Sequence, residues 1–321
     1  MKKYMHKLHT GLLIFCGILF FFSCNGNQES ETDTRIWTTG EETAGPENEG
    51  VPENPQGGTT TENDPSFVLP NIDLSHWKVT LPVGNNGRPT EVEPPAILDY
   101  ATNETLRPFM YNDSIEGALV FYTYPGVTTA NSSRSRTELR EQMNPGSNST
   151  NWTFAQGGRM YGTLQMEDIS KDGQGKYHRT IIMQIHGRLT NAQRDLIGED
   201  DNNAPPVLKI YWQNGKVRVK SKELKNVNTT GTDLLYTDAW TDDDGFNFDQ
   251  EVGFDKFSLE VKVEEGRMEV ILNNGQSVVF ANESMNKWGV FENYFKAGNY
   301  LQTTDEGAYA RVKYYELEVE H

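Results

Sequence analysis

The feature that most limits what this chain can become is a period of two. From Phe67 onward, apolar residues recur at every second position in short runs that end at Gly, Pro or Asn. Successive side chains of a strand point to opposite faces, so such runs read as half-buried strands. Residues 117–124 close at Pro125-Gly126, and residues 207–219 hold two alternating runs around Asn214-Gly215, a strong hairpin signal. Residues 257–263, 268–272 and 277–280 are split by Glu265-Gly266 and Asn273-Asn274-Gly275, and residues 310–320 alternate cleanly. Short helices are predicted only near residues 95–100 and 284–288. This pattern predicts an all-β fold: a curved antiparallel β-sandwich of jelly-roll type, whose concave face forms a cleft able to hold an extended polymer. Two irregular stretches, 144–152 and 187–206, are expected to border that cleft, since long loops in compact domains are commonly functional.

The N-terminal part reads differently. Lys2, Lys3 and Lys7 precede an apolar run over residues 11–22, followed by Ser23-Cys24. This is the layout of a signal peptide, here residues 1–23, and the run is shorter than the ~20 apolar residues of a membrane span. A cysteine directly after the apolar run resembles a lipoprotein signal, so Cys24 is expected to be the lipidated N-terminus of an exported protein. The destinations this implies are the outer membrane or cell surface, or, with an ordinary signal, the periplasm or medium. Residues 25–66 are rich in Glu, Thr, Gly, Pro and Asn with almost no aliphatics, and they read as a disordered acidic tether. The globular domain is then residues 67–321. The other cysteine, Cys16, lies inside the signal, so the domain has no disulfide option and must stand on its core.

The full chain carries a formal charge of −17, and the domain stays acidic without the tether. A nucleic-acid partner is not expected, and a monomer is. Against that acidity, three strand-like segments place reactive groups on their polar faces. Arg134, Arg136, Glu138 and Arg140 share one face, Gln184 and His186 a second, and Tyr294, Lys296, Tyr300 and Gln302 a third. Side by side in a sheet they would form a floor of cations, an amide, an imidazole and phenols, an inventory suited to proton transfer on an anionic substrate. The bland alternatives are a solvent-facing ladder of ion pairs, a structural histidine and ordinary sandwich aromatics. His76 and His178 have no such company and are expected to be structural. The run Asp242-Asp243-Asp244-Gly245 does not meet calcium-loop spacing, and it reads as an acidic surface loop. No His or Cys pair has zinc spacing, so catalysis without a metal or other cofactor is expected.

Arg136-Thr137-Glu138-Leu139-Arg140-Glu141, Gln184-Ile185-His186 and Tyr294-Phe295-Lys296-Ala297-Gly298-Asn299-Tyr300-Leu301-Gln302, in that order, resemble the three signature motifs of the family 7 polysaccharide lyases, the alginate lyases. The resemblance runs from about Pro70 to the C-terminus. It implies that Arg136, Gln184, His186 and Tyr300 are the catalytic set and that alginate is the substrate. Arg136 and Gln184 would neutralise a sugar carboxylate. His186 would be the base for guluronate with Tyr300 the acid, and Tyr300 would serve both roles for mannuronate. Glu138 is expected to lie between Arg136 and Arg140 and orient both. Arg134, Glu138, Arg140, Tyr294, Lys296 and Gln302 are expected to bind substrate, with Arg140, Lys296 and Gln302 on neighbouring sugars. Ile185, between the amide and the imidazole, tilts the expected preference towards guluronate-containing blocks.

Three other readings compete. A jelly-roll glycoside hydrolase needs two flanking carboxylates, and no Glu-x-Asp-x-x-Glu run occurs. A lyase for another polyuronate such as glucuronan could use the same chemistry. A lipid-anchored polysaccharide-binding protein would need cations and aromatic platforms, but not Gln184, His186 and Tyr300 together.

Overall fold

The computed structural model describes residues 69–321, so the signal, Cys24 and the tether lie outside the described residues. The described chain forms two sheets. One has eight strands, in the order Gln276–Phe280, Arg267–Leu272, Phe257–Glu264, Gly158–Ile169, Ala310–Glu320, Ala118–Thr123 and Met110–Asp113, with the short strand Asn71–Ile72 added to Ala310–Glu320. That addition is parallel; every other pairing is antiparallel. The second sheet has ten strands. Its path is Trp240–Asp242, Lys216–Leu224, Asn203–Gln213, Arg179–Arg188, Glu292–Leu301, Arg136–Glu141, Trp77–Asn85 and Arg88–Val92, with Phe246–Glu251 and Trp152–Thr153 paired off it. The predicted antiparallel sandwich is the observed fold.

Burial follows the alternation. Phe257, Leu259, Val261 and Val263 are buried and the residues between them are not. Trp152, Trp212, Trp288, Phe121, Phe154, Phe248, Phe291, Phe295 and Tyr314 fill the space between the sheets, and large aromatics of this kind dominate core energetics. The Asn214-Gly215 turn has positive φ at both residues, 51° and 78°, as a two-residue hairpin matched to strand twist requires.

The strand Arg136–Glu141 breaks the pattern, because it is buried on both faces. Thr137 and Leu139 face the core; Arg136, Glu138 and Arg140 face the cleft and are still only 8%, 1% and 7% exposed. This disposes of the solvent-facing ion-pair ladder, since a charge kept from water must be matched by a specific partner.

The neighbouring strand Glu292–Leu301 carries a bulge. Its register against Arg179–Arg188 shifts between Ala297 and Tyr300. Gly298 sits there with φ +132°, and a Cβ on it would lie 2.7 Å from the Thr137 carbonyl oxygen. Asn299, fully buried, turns inward and ties the sheets together. Its amide donates to the carbonyls of Phe121 at 2.9 Å and Ala310 at 2.8 Å, and its Oδ1 accepts from Thr180 Oγ1 at 2.7 Å. The bulge therefore anchors the strand one residue before Tyr300.

Candidate active site

Strand pairing brings the three polar faces together. Across the sheet, Tyr300 lies opposite Arg136, Gly298 opposite Glu138, and Lys296 opposite both Arg140 and Gln184. Tyr294 lies opposite His186. Above them is a cleft of about 690 Å³ lined by Arg134, Arg136, Arg140, Gln184, His186, Tyr294, Lys296, Tyr300 and Gln302. Every catalytic and substrate-binding residue expected from the sequence lines the cleft except Glu138, which is buried beneath it at 1% exposure and so is corrected from a sugar contact to part of the floor.

Glu138 is the hub of that floor. Its carboxylate takes Arg136 Nη1 at 2.9 Å and Gln184 Nε2 at 2.5 Å, and it pairs with Lys296. Burial alone would raise its pKa, but the charges of Lys296 and Arg136 prevail and hold it below the ordinary value. The expectation that Glu138 orients Arg140 as well is corrected. Arg140 instead donates to the Glu141 carbonyl at 2.6 Å, the Asn148 carbonyl at 3.0 Å and Asn151 Oδ1 at 2.9 Å. It is tied to the loop that walls one side of the cleft, and its guanidinium stacks 4.1 Å from the Tyr294 ring centroid.

His186 is held neutral. Its Nδ1 lies 2.9 Å from the Gly187 carbonyl oxygen, an acceptor only, so Nδ1 carries the proton and Nε2 keeps its lone pair. Burial, then the positive charge of Lys296, pushes its pKa down to about 3. The ring stacks on Tyr294, centroids 5.3 Å apart and planes 14° apart. Lys296 is pushed down to about 8, first by burial and then by the charge of Arg136, with Glu138 opposing both. Burial raises the Tyr294 phenol against the pull of Arg140 and Arg136.

Tyr300 lies with the Arg136 guanidinium 3.7 Å above its ring centroid and its hydroxyl 2.6 Å from Ser132 Oγ. The Nε atoms of Arg134 and Arg136 are buried and have no hydrogen-bond partner among the described residues.

Several expectations need adjustment. Arg134 reaches the cleft but not from a strand: the strand begins at Arg136, and Arg134 sits in a turn closed by Ser132. The stretch 187–206 is not irregular throughout. Its flanking strands reach Arg188 and Asn203, and between them lies the helix Asn191–Ile197, capped by a Thr190–Gln193 capping box. Asp201 from this stretch accepts from Asn131 at 3.1 Å, so a third loop, unforeseen, also walls the cleft. Asp242 is not a loose surface acid: it ends the strand Trp240–Asp242 and pairs with Lys222 at 2.8 Å and with Lys209, both lining the cleft. Sequence reading also missed Lys78, paired with Glu91 at 2.7 Å, and Tyr211. The alternation Lys209-x-Tyr211 was a usable signal, but only the pairing of Lys209 with Gln184 shows which face it takes.

The family described as alginate lyase matches residues 72–321. Among solved structures, alginate lyase A1-II', a member of polysaccharide lyase family-7, is 30% identical, with 78% of this chain and 96% of that one covered and a TM-score of 0.61. A variant of that lyase with a histidine changed to asparagine and a tyrosine to phenylalanine, in complex with substrate (GGMG), matches at 29% identity. There the coverage is 78% and 94%, with a TM-score of 0.60. The alginate lyase from Klebsiella pneumoniae shares the fold at 21% identity and a TM-score of 0.58, with 78% and 97% covered. No curated protein matches this chain. A family match that takes in every strand of the cleft sheet, with the Arg136, His186 and Tyr300 faces converging on one carboxylate, leads to one conclusion: the chain belongs to the alginate lyases of polysaccharide lyase family 7 and is a polysaccharide lyase.

Proposed function

We propose that this chain cleaves alginate, a 1,4-linked uronate polymer, by β-elimination, leaving 4,5-unsaturated uronate ends, and that it favours guluronate-containing blocks. The reaction removes the proton at C5 and expels the oxygen at C4. That proton is scarcely acidic while the adjacent carboxylate is charged, because the resulting anion would be a dianion. The enzyme must first neutralise the carboxylate, then offer a base near C5 and an acid near O4.

The observation that carries the reading is the Glu138 hub. One buried carboxylate aligns Arg136, Lys296 and Gln184, beside an imidazole kept neutral with its Nε2 lone pair open. Arg136, whose guanidinium lines the cleft, and Gln184, through its second amide proton, would hold the sugar carboxylate. His186 would take the C5 proton of guluronate from one face while Tyr300 protonates O4 from the other. For mannuronate, where proton and leaving group share a face, Tyr300 would serve both. Arg134, Arg140, Tyr294, Lys296 and Gln302 would bind the adjoining sugars. Support from the relative is chemical: its substrate complex was obtained with a histidine and a tyrosine replaced.

The pH dependence follows from two groups. His186 is neutral above about 3, and Lys296 keeps its charge below about 8. Turnover is expected to hold between those limits and to fall as pH rises through about 8, when the cleft loses a cation facing an anionic polymer. A rate still rising past pH 9 would contradict this role for Lys296.

The block preference rests on Ile185. It is fully buried on the core side, so it would act by setting how Gln184 and His186 sit, not by touching sugar. Digestion of separate poly-guluronate and poly-mannuronate blocks tests it; faster attack on poly-mannuronate rejects the preference.

For the N-terminal part, we propose an exported lipoprotein anchored through Cys24 on the acidic tether 25–66. The basic, apolar and Ser23-Cys24 segments support this reading. Fatty-acid labelling that persists in Cys24→Ser would contradict it.

A further inference from the structure

We infer that Ser132 is a positioning residue for the elimination, holding the Tyr300 phenol before proton transfer and supplying a hydrogen bond to the phenolate afterwards. The inference rests on the reading of Tyr300 as the acid given above, and it adds a residue that the three motifs do not contain.

The protons around Ser132 Oγ fix the direction of its bond to Tyr300. Ser132 precedes the strand Arg136–Glu141, and its Oγ makes three contacts. It accepts the Arg134 N–H at 3.1 Å, donates to the Arg134 carbonyl at 2.9 Å, and lies 2.6 Å from the Tyr300 hydroxyl oxygen. A serine hydroxyl has one proton and two lone pairs. With its proton on the Arg134 carbonyl and one lone pair on the Arg134 N–H, only a lone pair remains for Tyr300. The phenol must therefore be the donor in the resting site. Among the described residues, Ser132 is also the one hydrogen-bond partner of that phenol oxygen.

For Tyr300 to give its single proton to the departing O4 oxygen, the phenol O–H must turn from Ser132 Oγ to O4, and the phenolate left behind has no proton to donate. Rotation about the Ser132 Cβ–Oγ bond moves the serine proton from the Arg134 carbonyl to the phenolate. No proton leaves Ser132, and no covalent bond to it forms or breaks. The released carbonyl belongs to a turn residue that is only partly buried. The hydrogen bond is stronger to the charged phenolate than to the neutral phenol, so it favours the proton-transferred state over the ground state. Arg136, over the ring face, and Ser132, at the oxygen, together fix both the plane and the direction of the phenol. A serine that merely closed the turn would need its Arg134 contacts alone.

The test is the steady-state kinetics of Ser132→Ala, Ser132→Thr and Tyr300→Phe on alginate with the full protein, each checked for an unchanged circular dichroism spectrum. A hydrogen bond to a charged group corresponds to about a ten- to hundredfold rate effect. Ser132→Ala is expected to lower kcat by that factor with KM within about twofold, and Ser132→Thr, which keeps the hydroxyl, to restore most of the loss. If Tyr300→Phe is inactive while Ser132→Ala keeps its kcat, or loses only in KM, the role of Ser132 is overturned and that of Tyr300 stands. If Ser132→Thr is as slow as Ser132→Ala, the hydroxyl is not the cause and the inference also fails. If Tyr300→Phe turns over normally, both readings fall.

Discussion

Replacing Tyr300 with phenylalanine is expected to lower turnover by about a hundred- to ten-thousandfold, the range for loss of a positioned general acid or base. Substrate binding should survive. Phenylalanine keeps the ring that carries the Arg136 guanidinium at 3.7 Å, and among the described residues the only hydrogen bond removed is the hydroxyl's bond to Ser132. A fall in kcat with KM held nearly constant is thus the signature of lost proton transfer. It also separates a lyase from a polysaccharide-binding protein, for which the variant would be silent. Turnover within threefold of the parent would remove Tyr300 from the chemistry.

The second large effect is on stability. Glu138→Gln should cost roughly 3–5 kcal/mol, the usual result of removing one partner from a buried ion pair. Glu138 is 1% exposed and serves two cations and an amide, and among the described residues no other carboxylate pairs with Lys296 or Arg136. In a domain of this size that corresponds to a melting temperature lower by roughly 10 °C. Lys296, already pushed down to about 8, would lose the charge that opposes its desolvation, so the alkaline fall in activity should begin at lower pH. A melting temperature unchanged within about 2 °C would show that the floor of the cleft does not depend on this carboxylate.

Most of the fold was legible because strand alternation is a local signal. The Asn214-Gly215 hairpin, the strand Phe257–Glu264 and the strand Ala310–Glu320 follow from period and turn residues alone. The same period put Gln184 with His186 and Lys296 with Tyr300 on common faces, and both pairs do line the cleft.

What stayed hidden depends on register between segments far apart in sequence. Glu138 finds Lys296 because Gly298 pairs opposite it and the bulge sets the phase of the strand, and no local pattern gives that offset. Lys209 and Asp242 meet for the same reason. The helix Asn191–Ile197 was missed although its Thr190–Gln193 box is readable, because it buries no residue and so shows no apolar stripe. Arg134 matched the alternation without being in a strand, since the Ser132 turn happens to aim it into the same cleft.

The central claim is that this site performs elimination. Its most direct test is the far-UV absorbance of alginate incubated with the purified protein, beside the same reaction with His186→Ala. Elimination leaves an unsaturated uronate that absorbs there, and hydrolysis leaves none. The account predicts a signal that grows with the parent protein and is lost with the variant. Reducing ends released without that absorbance, or an undiminished signal from His186→Ala, would contradict it.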